Sequence, residues 1–232
     1  MTSVFPPRAP VLAPIAGSGD VFPISRIYCV GRNYAAHARE MGRDPDREPP
    51  FFFSKDADAY APNSALIPYP LATENYHHEI ELVVAIGKEG CRVSAEQAAD
   101  LIFGYAVGLD MTRRDLQLSA REQGRPWCTG KNFPLSAPMS AIYRIADIGE
   151  LSKAEIKLTV NGEIRQISDI NKLIWNVNET ISHLSKLYHL QPGDLIFTGT
   201  PEGVGAVNVG DKLVGTIDGM EELAITIGPV AT

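Results

Sequence analysis

Apolar and polar residues alternate over short distances along most of the chain, and helical spacing is confined to a few short stretches, which predicts a strand-rich protein. Residues 78–87 read as the clearest strand, with Ile80, Leu82, Val84 and Ile86 on one face and Glu79, Glu81 and Val83 on the other. Residues 25–30, 51–53 and 66–67 are shorter strands. Leu158 to Val160, the pair Asn161-Gly162 and Glu163 to Ile167 predict a hairpin, because Asn-Gly accepts the positive φ of a type I′ turn. Three further strands, 195–198, 212–217 and 222–227, are separated by glycine turns such as Asp218-Gly219.

Helical signals are fewer. Asn33 is placed to cap a short helix over 34–41 that Gly42 would end, and the charged, proline-rich 43–50 segment that follows predicts a hinge, so this helix has the build of a lid. Ser94-x-x-Gln97 is a capping-box pattern opening a helix with Ala98, Leu101, Ile102 and Tyr105 on its apolar face. A third helix spans 178–190 and stops at Gln191-Pro192-Gly193-Asp194. The expected fold class is α+β, mostly β, with a rolled or barrel-like mixed sheet, since a doubly wound sheet needs a long helix between successive strands. Residues 1–24, rich in proline, read as an extended arm, and 25–232 as one domain.

With 232 residues, 44% of them hydrophobic, the chain fills a sizeable core without disulfides or a structural metal. The net charge of −7 and the lack of a basic run exclude a nucleic-acid partner. No apolar stretch approaches the roughly 18 residues of a membrane helix. A secretory-type start is not evident, so a cytoplasmic address is expected. Cys29, Cys91 and Cys128 are too far apart for a metal pair and are expected as buried, reduced thiols. The glycines of 199–210 fit neither a Rossmann fingerprint nor a phosphate loop.

Glu79-x-Glu81 carries the most chemistry, because alternate strand residues project from one face and two buried carboxylates repel unless a cation lies between them. Taken alone, the pair reads better as a solvated strand face. Asp110, at the end of the apolar run 105–109, moves the balance toward a site: three carboxylates suit Mg2+ or Mn2+, and the lack of paired Cys or a His-x-x-x-His array argues against zinc. His77 and His78 cannot both face the acids, and packing is expected for both. His37 and Glu40, three apart on a helix, fit either a carboxylate-oriented general base or a surface ion pair.

Val30-Gly31-Arg32-Asn33-Tyr34-Ala35-Ala36-His37, His78-Glu79-Ile80-Glu81, Leu109-Asp110-Met111-Thr112, Lys131 and Thr198-Gly199-Thr200-Pro201-Glu202-Gly203-Val204-Gly205 together resemble the fumarylacetoacetate hydrolase family from about residue 25 onward. The resemblance implies a homodimer with Mg2+ or Mn2+ held by Glu79, Glu81 and Asp110. It also implies a His37–Glu40 dyad that activates water, Lys131 beside the reacting oxygens, and Arg114, Gln117 and Thr200 in contact with substrate; a second carboxylate on the substrate needs a further cation, for which Lys55, Arg32 and Arg114 are the candidates. The implied reaction is hydrolysis of a carbon–carbon bond in a 2,4-diketo acid, with fumarylpyruvate the expected substrate, as in gentisate breakdown. Decarboxylation of oxaloacetate or cleavage of a shorter acylpyruvate is the alternative on the same site, and a non-catalytic metal-binding dimer the alternative of another class.

Overall fold

The computed structural model describes residues 3–40 and 48–230, with 38–40 described by backbone alone. Two sheets dominate. One has six strands in the order Tyr143–Arg144, Ile102–Leu109, Ile80–Ile86, Leu195–Phe197, Ile27–Gly31 and Phe51–Lys55, and all its pairs are antiparallel except Leu195–Phe197 with Ile27–Gly31. The other has five, in the order Glu163–Asp169, Glu155–Val160, Lys212–Ile217, Leu223–Val230 and Leu66–Tyr69, the last pair parallel. The mixed, mostly β architecture with short helices is the one expected.

Alternation explains how the six-stranded sheet is used. Ile80, Leu82, Val84 and Ile86 face a core shared with Ile156, Leu158, Leu213, Ile217 and Ile225 of the five-stranded sheet and with Ile181 and Leu184 of the Val177–Leu187 helix. Val83 and Ala85 face a second core containing Cys29, Leu195, Phe197 and Met139. A strand buried on both faces reads as an unbroken apolar run, and within Ile80–Ile86 only Glu81 interrupts it.

Several elements depart from expectation. Residues 11–24 are no extended arm: Val11–Pro14 and Val21–Ile24 form a hairpin that buries Ala13, Ile15, Phe22 and Ile24 in the second core, leaving residues 3–10 exposed. The Ser94 capping box is present, but its helix lasts one turn, Ala95–Ala98, with a 3₁₀ turn after it, and Ile102–Leu109 is a strand. Tyr105 therefore belongs to a strand. Gly104 and Gly108 disfavour a longer helix, and pairing along Ile80–Ile86 outweighs the apparent helical spacing. Cys29 alone of the three cysteines is buried, and burial pushes its thiol well up; Cys91 and Cys128 are exposed.

The Asn161-Gly162 turn closes its hairpin with both residues at positive φ. The helix expected over 178–190 runs Val177–Leu187 and is capped by Asn176 with Glu179. Ala35–Glu40 is helical, whereas the expected continuation through Met41 to Gly42, and residues 43–47 of the hinge, lie outside the described residues. Asn33 precedes that helix but binds across the fold: its side-chain oxygen accepts from the Trp175 N–H at 2.8 Å, and its nitrogen donates to the carbonyls of Trp175 and Thr198. Among the described residues no helix is long and apolar enough to cross a membrane.

Candidate active site

Glu79 lies between the Tyr76–His78 and Ile80–Ile86 strands, where the chain leaves a three-stranded sheet for the six-stranded one. The break keeps Glu79 beside Asp110, which follows the neighbouring strand; Ile80 pairs with Leu109, and the Asp110 N–H donates to the Glu79 carbonyl at 2.8 Å. Glu81 projects from the strand itself. One carboxylate oxygen from each of the three acids falls within 4.8 Å of the others, and all three residues are buried.

Cations brace two of these acids. The Lys131 ammonium donates to Glu79 Oε2 at 2.7 Å, Asp110 Oδ2 at 2.6 Å and Thr112 Oγ1 at 2.7 Å. Arg114 pairs with the other oxygen of Glu79 and donates to Gln117. Lys55 Nζ stands 2.9 Å from Asp110 Oδ1 and donates to the Met111 carbonyl and Ser136 Oγ, besides bonding the Lys131 carbonyl. Burial alone would push the Glu79 carboxyl up, but Lys131 and Arg114 hold it well below the ordinary range. Burial would likewise lower Lys131, and Asp110 with Glu79 raises it.

Glu81 differs. Its Oε2 accepts the Gly199 N–H at 2.7 Å, and burial, followed by the charges of Asp110 and Glu79, drives its carboxyl well above the usual value. Among the described residues no cation pairs directly with Glu81, although the nearby Lys131 charge partly offsets the rise. Three oxygen donors converging there fit a hard divalent cation such as Mg2+ or Mn2+ and offer no sulfur or imidazole for zinc.

A narrow cleft opens over the acids, lined by Arg32, His37, Arg114, Gln117, Lys131 and Thr200 among others. Gln117 and Lys131 come from different elements, the Arg114–Glu122 helix and the Cys128–Lys131 turn, packed so closely that a Cβ on Gly130 would lie 2.8 Å from the Gln117 nitrogen. Thr200 Oγ1 accepts from Gln166 Nε2 at 2.9 Å. His37 is buried at the cleft wall, while the side chain of Glu40 lies outside the described residues.

Of the expected site residues whose side chains are described, only Lys55 is displaced from the cleft. It is buried behind Asp110 and holds that carboxylate, because its ammonium finds four oxygens there. His77 and His78 serve as scaffold, as expected. His77 bonds Asn75 at 2.8 Å, and burial with Arg114 pushes it down to about 4; His78 bonds Gln166 at 3.0 Å, and burial lowers it too.

Sequence reasoning missed Phe53, Arg121, Trp127 and Gln166. Arg121 was legible in principle, since Arg114, Gln117 and Arg121 recur at i, i+3 and i+7 of one helix. Gln166, which bonds His78, the Ile80 N–H, Thr200 and the Pro201 carbonyl, carries no local signal.

The family model of the fumarylacetoacetate hydrolase C-terminal region matches residues 26–228. A fumarylpyruvate hydrolase of Ralstonia is 53% identical over 191 residues, covering 82% of this chain and 99% of the relative. Human mitochondrial oxaloacetate tautomerase is 43% identical over 202 residues, covering 87% and 90%. The crystal structure of fumarylpyruvate hydrolase from Pseudomonas aeruginosa in complex with Mn2+ and pyruvate superposes with a TM-score of 0.97 at 56% identity, covering 98% of this chain and all of that one. By the span of the model match and the depth of these identities, the chain belongs to the fumarylacetoacetate hydrolase family.

Proposed function

We propose that this protein hydrolyses fumarylpyruvate to fumarate and pyruvate, with Glu79, Glu81 and Asp110 holding Mg2+ or Mn2+. The observation that carries the reading is the convergence of three buried carboxylates beneath a cleft, one of them in no ion pair among the described residues. It is supported by the 53% identity to a fumarylpyruvate hydrolase and by the Mn2+ and pyruvate in the Pseudomonas structure. A divalent ion in this position would act as a Lewis acid toward the keto acid end of the substrate.

The chain's own groups account for the remaining chemistry. Arg114 and Gln117, fixed on one helix and bonded to each other, present N–H groups to the cleft and stabilise the oxyanion that forms when water adds to the remote acyl carbonyl. His37, at the cleft wall, takes the proton from that water, and Glu40 orients the imidazole. Lys131 keeps positive charge beside the reacting oxygens. Hydroxide adds to the acyl carbon, the adjacent carbon–carbon bond breaks, and its electron pair leaves on the pyruvate fragment, which is protonated to pyruvate; the acyl fragment departs as fumarate. Thr200 and Arg32 line the cleft toward substrate.

A second reading, oxaloacetate as substrate, is favoured by the identity to oxaloacetate tautomerase and uses the same cluster. A homodimer, a cytoplasmic address and a role in gentisate breakdown belong to the proposal as well. Purified protein supplied with Mg2+ or Mn2+ should consume fumarylpyruvate faster than acetylpyruvate or oxaloacetate, releasing one pyruvate per turnover. Preference for oxaloacetate, or no turnover of any of the three, would overturn the first reading.

A further inference from the structure

A substrate with carboxylates at both ends needs a cation for each, and the cleft's cations are unequally available. Lys131 and Arg114 are committed to Glu79 and Asp110, and Lys55 is committed to Asp110 from behind, outside the cleft. Arg32 lies over the Phe51 ring at 5.0 Å. Arg121, half-buried, lines the cleft and has no carboxylate partner among the described residues.

Its position is equally telling. Arg121 occupies the same helical face as Arg114 and Gln117, seven residues beyond Arg114, which is about 10 Å along the axis. A second groove lined by Tyr28, Phe51, Phe53, Trp127 and Arg125 adjoins the cleft, and Arg121 lines both. Trp127 packs against Phe51 and Phe53 with centroids 5.3 and 5.8 Å away, forming an aromatic wall. A flat conjugated chain lies well along such a wall.

We propose that Arg121 receives the far carboxylate of the substrate and, with Phe53 and Trp127, selects a dicarboxylate 2,4-diketo acid over one with an uncharged tail. The inference rests on the proposed fumarylpyruvate hydrolysis. The fork of a guanidinium matches a carboxylate in two parallel hydrogen bonds, and the carboxylate would supply the anion that Arg121 lacks among the described residues.

The test compares wild type, R121A and R121K on fumarylpyruvate and acetylpyruvate, which share the keto acid end and differ in the second carboxylate. R121A should lose about 10–100-fold more kcat/KM on fumarylpyruvate than on acetylpyruvate, mostly through KM, and R121K should recover part of that loss. Thermal melting and Mn2+ titration of each variant separate this from misfolding. Equal losses on both substrates, or none on either, would overturn the role of Arg121. Failure of the wild type to cleave fumarylpyruvate would instead overturn the reading beneath it.

Discussion

The floor and the outer wall of the cleft are built on opposite principles. On the floor, Glu79, Asp110, Lys55, Lys131 and Arg114 form one buried network in which each acid meets two cations. On the wall, Arg121 and the aromatic side chains of Phe53 and Trp127 bound the cleft with no acid paired to the guanidinium among the described residues. A network in which every acid is already held by two cations fixes the geometry of a reaction centre, whereas a wall with an unpaired guanidinium is suited to choosing what enters.

The largest effect that would break this contrast is expected at Glu81, the floor acid outside the cation network. Glu81→Gln should cut activity by about 10³-fold or more, the scale of losing a transition-state charge stabiliser, and abolish Mn2+ binding measured by calorimetry. Its melting temperature should not fall, because no buried cation loses a partner. A folded variant that still binds Mn2+ tightly would remove Glu81 from the ligand set. Asp110→Ala should also inactivate the protein, but with a loss of about 3–5 kcal/mol in denaturant unfolding, since it strands Lys55 and Lys131 in the interior. Equal stability of these two variants would show that the floor is not organised as described.

On the wall the expected effects leave the metal site intact. His37→Ala should slow hydrolysis by about 10²–10⁴-fold while leaving Mn2+ affinity intact, and parallel loss of both would place His37 with the floor. The least effect is expected at Asp115, which anchors the Arg114–Glu122 helix by accepting from the Thr73 hydroxyl at 2.6 Å and the N–H groups of Glu74 and Leu116. Partial burial would raise its carboxyl, but these donors, led by Thr73, hold it below the ordinary value. A depressed folded pKa contributes stability that is present above the unfolded value near about 4 and is lost as pH falls through the folded one. Asp115→Asn should therefore lower the melting temperature at pH 7 by no more than about 2–4 °C and flatten its decline in acid. An unchanged acid slope would detach Asp115 from that titration.

What could be read from the residue pattern follows the range over which each feature is determined. Glu79, Glu81 and Asp110 were visible because strand alternation and the end of an apolar run are local signals, although their joint use as a metal site leaned on family resemblance. Gln117 and Arg114 emerged likewise as motif positions. Lys55 was misjudged because a lysine on an edge strand ordinarily reaches water, and nothing nearby in sequence announces that Met111, Lys131 and Ser136 will enclose it. The 94–105 segment was misread for a related reason: its spacing fits a helix, and only the partner strand at Ile80–Ile86 decides otherwise. Gln166 reaches the site from the five-stranded sheet, a contact that only the three-dimensional arrangement makes.

Asn33 ties two chemically distinct halves of the centre to a common peg. Its side chain grips Trp175 on one side and the Thr198 carbonyl on the other. The residue after Thr198 donates to Glu81, and four residues beyond Asn33 stands His37. A shift at this amide would be transmitted both to the Glu81 acid and to the His37 imidazole, so on the proposed reading the distance between ion and base would depend on an amide that need touch neither.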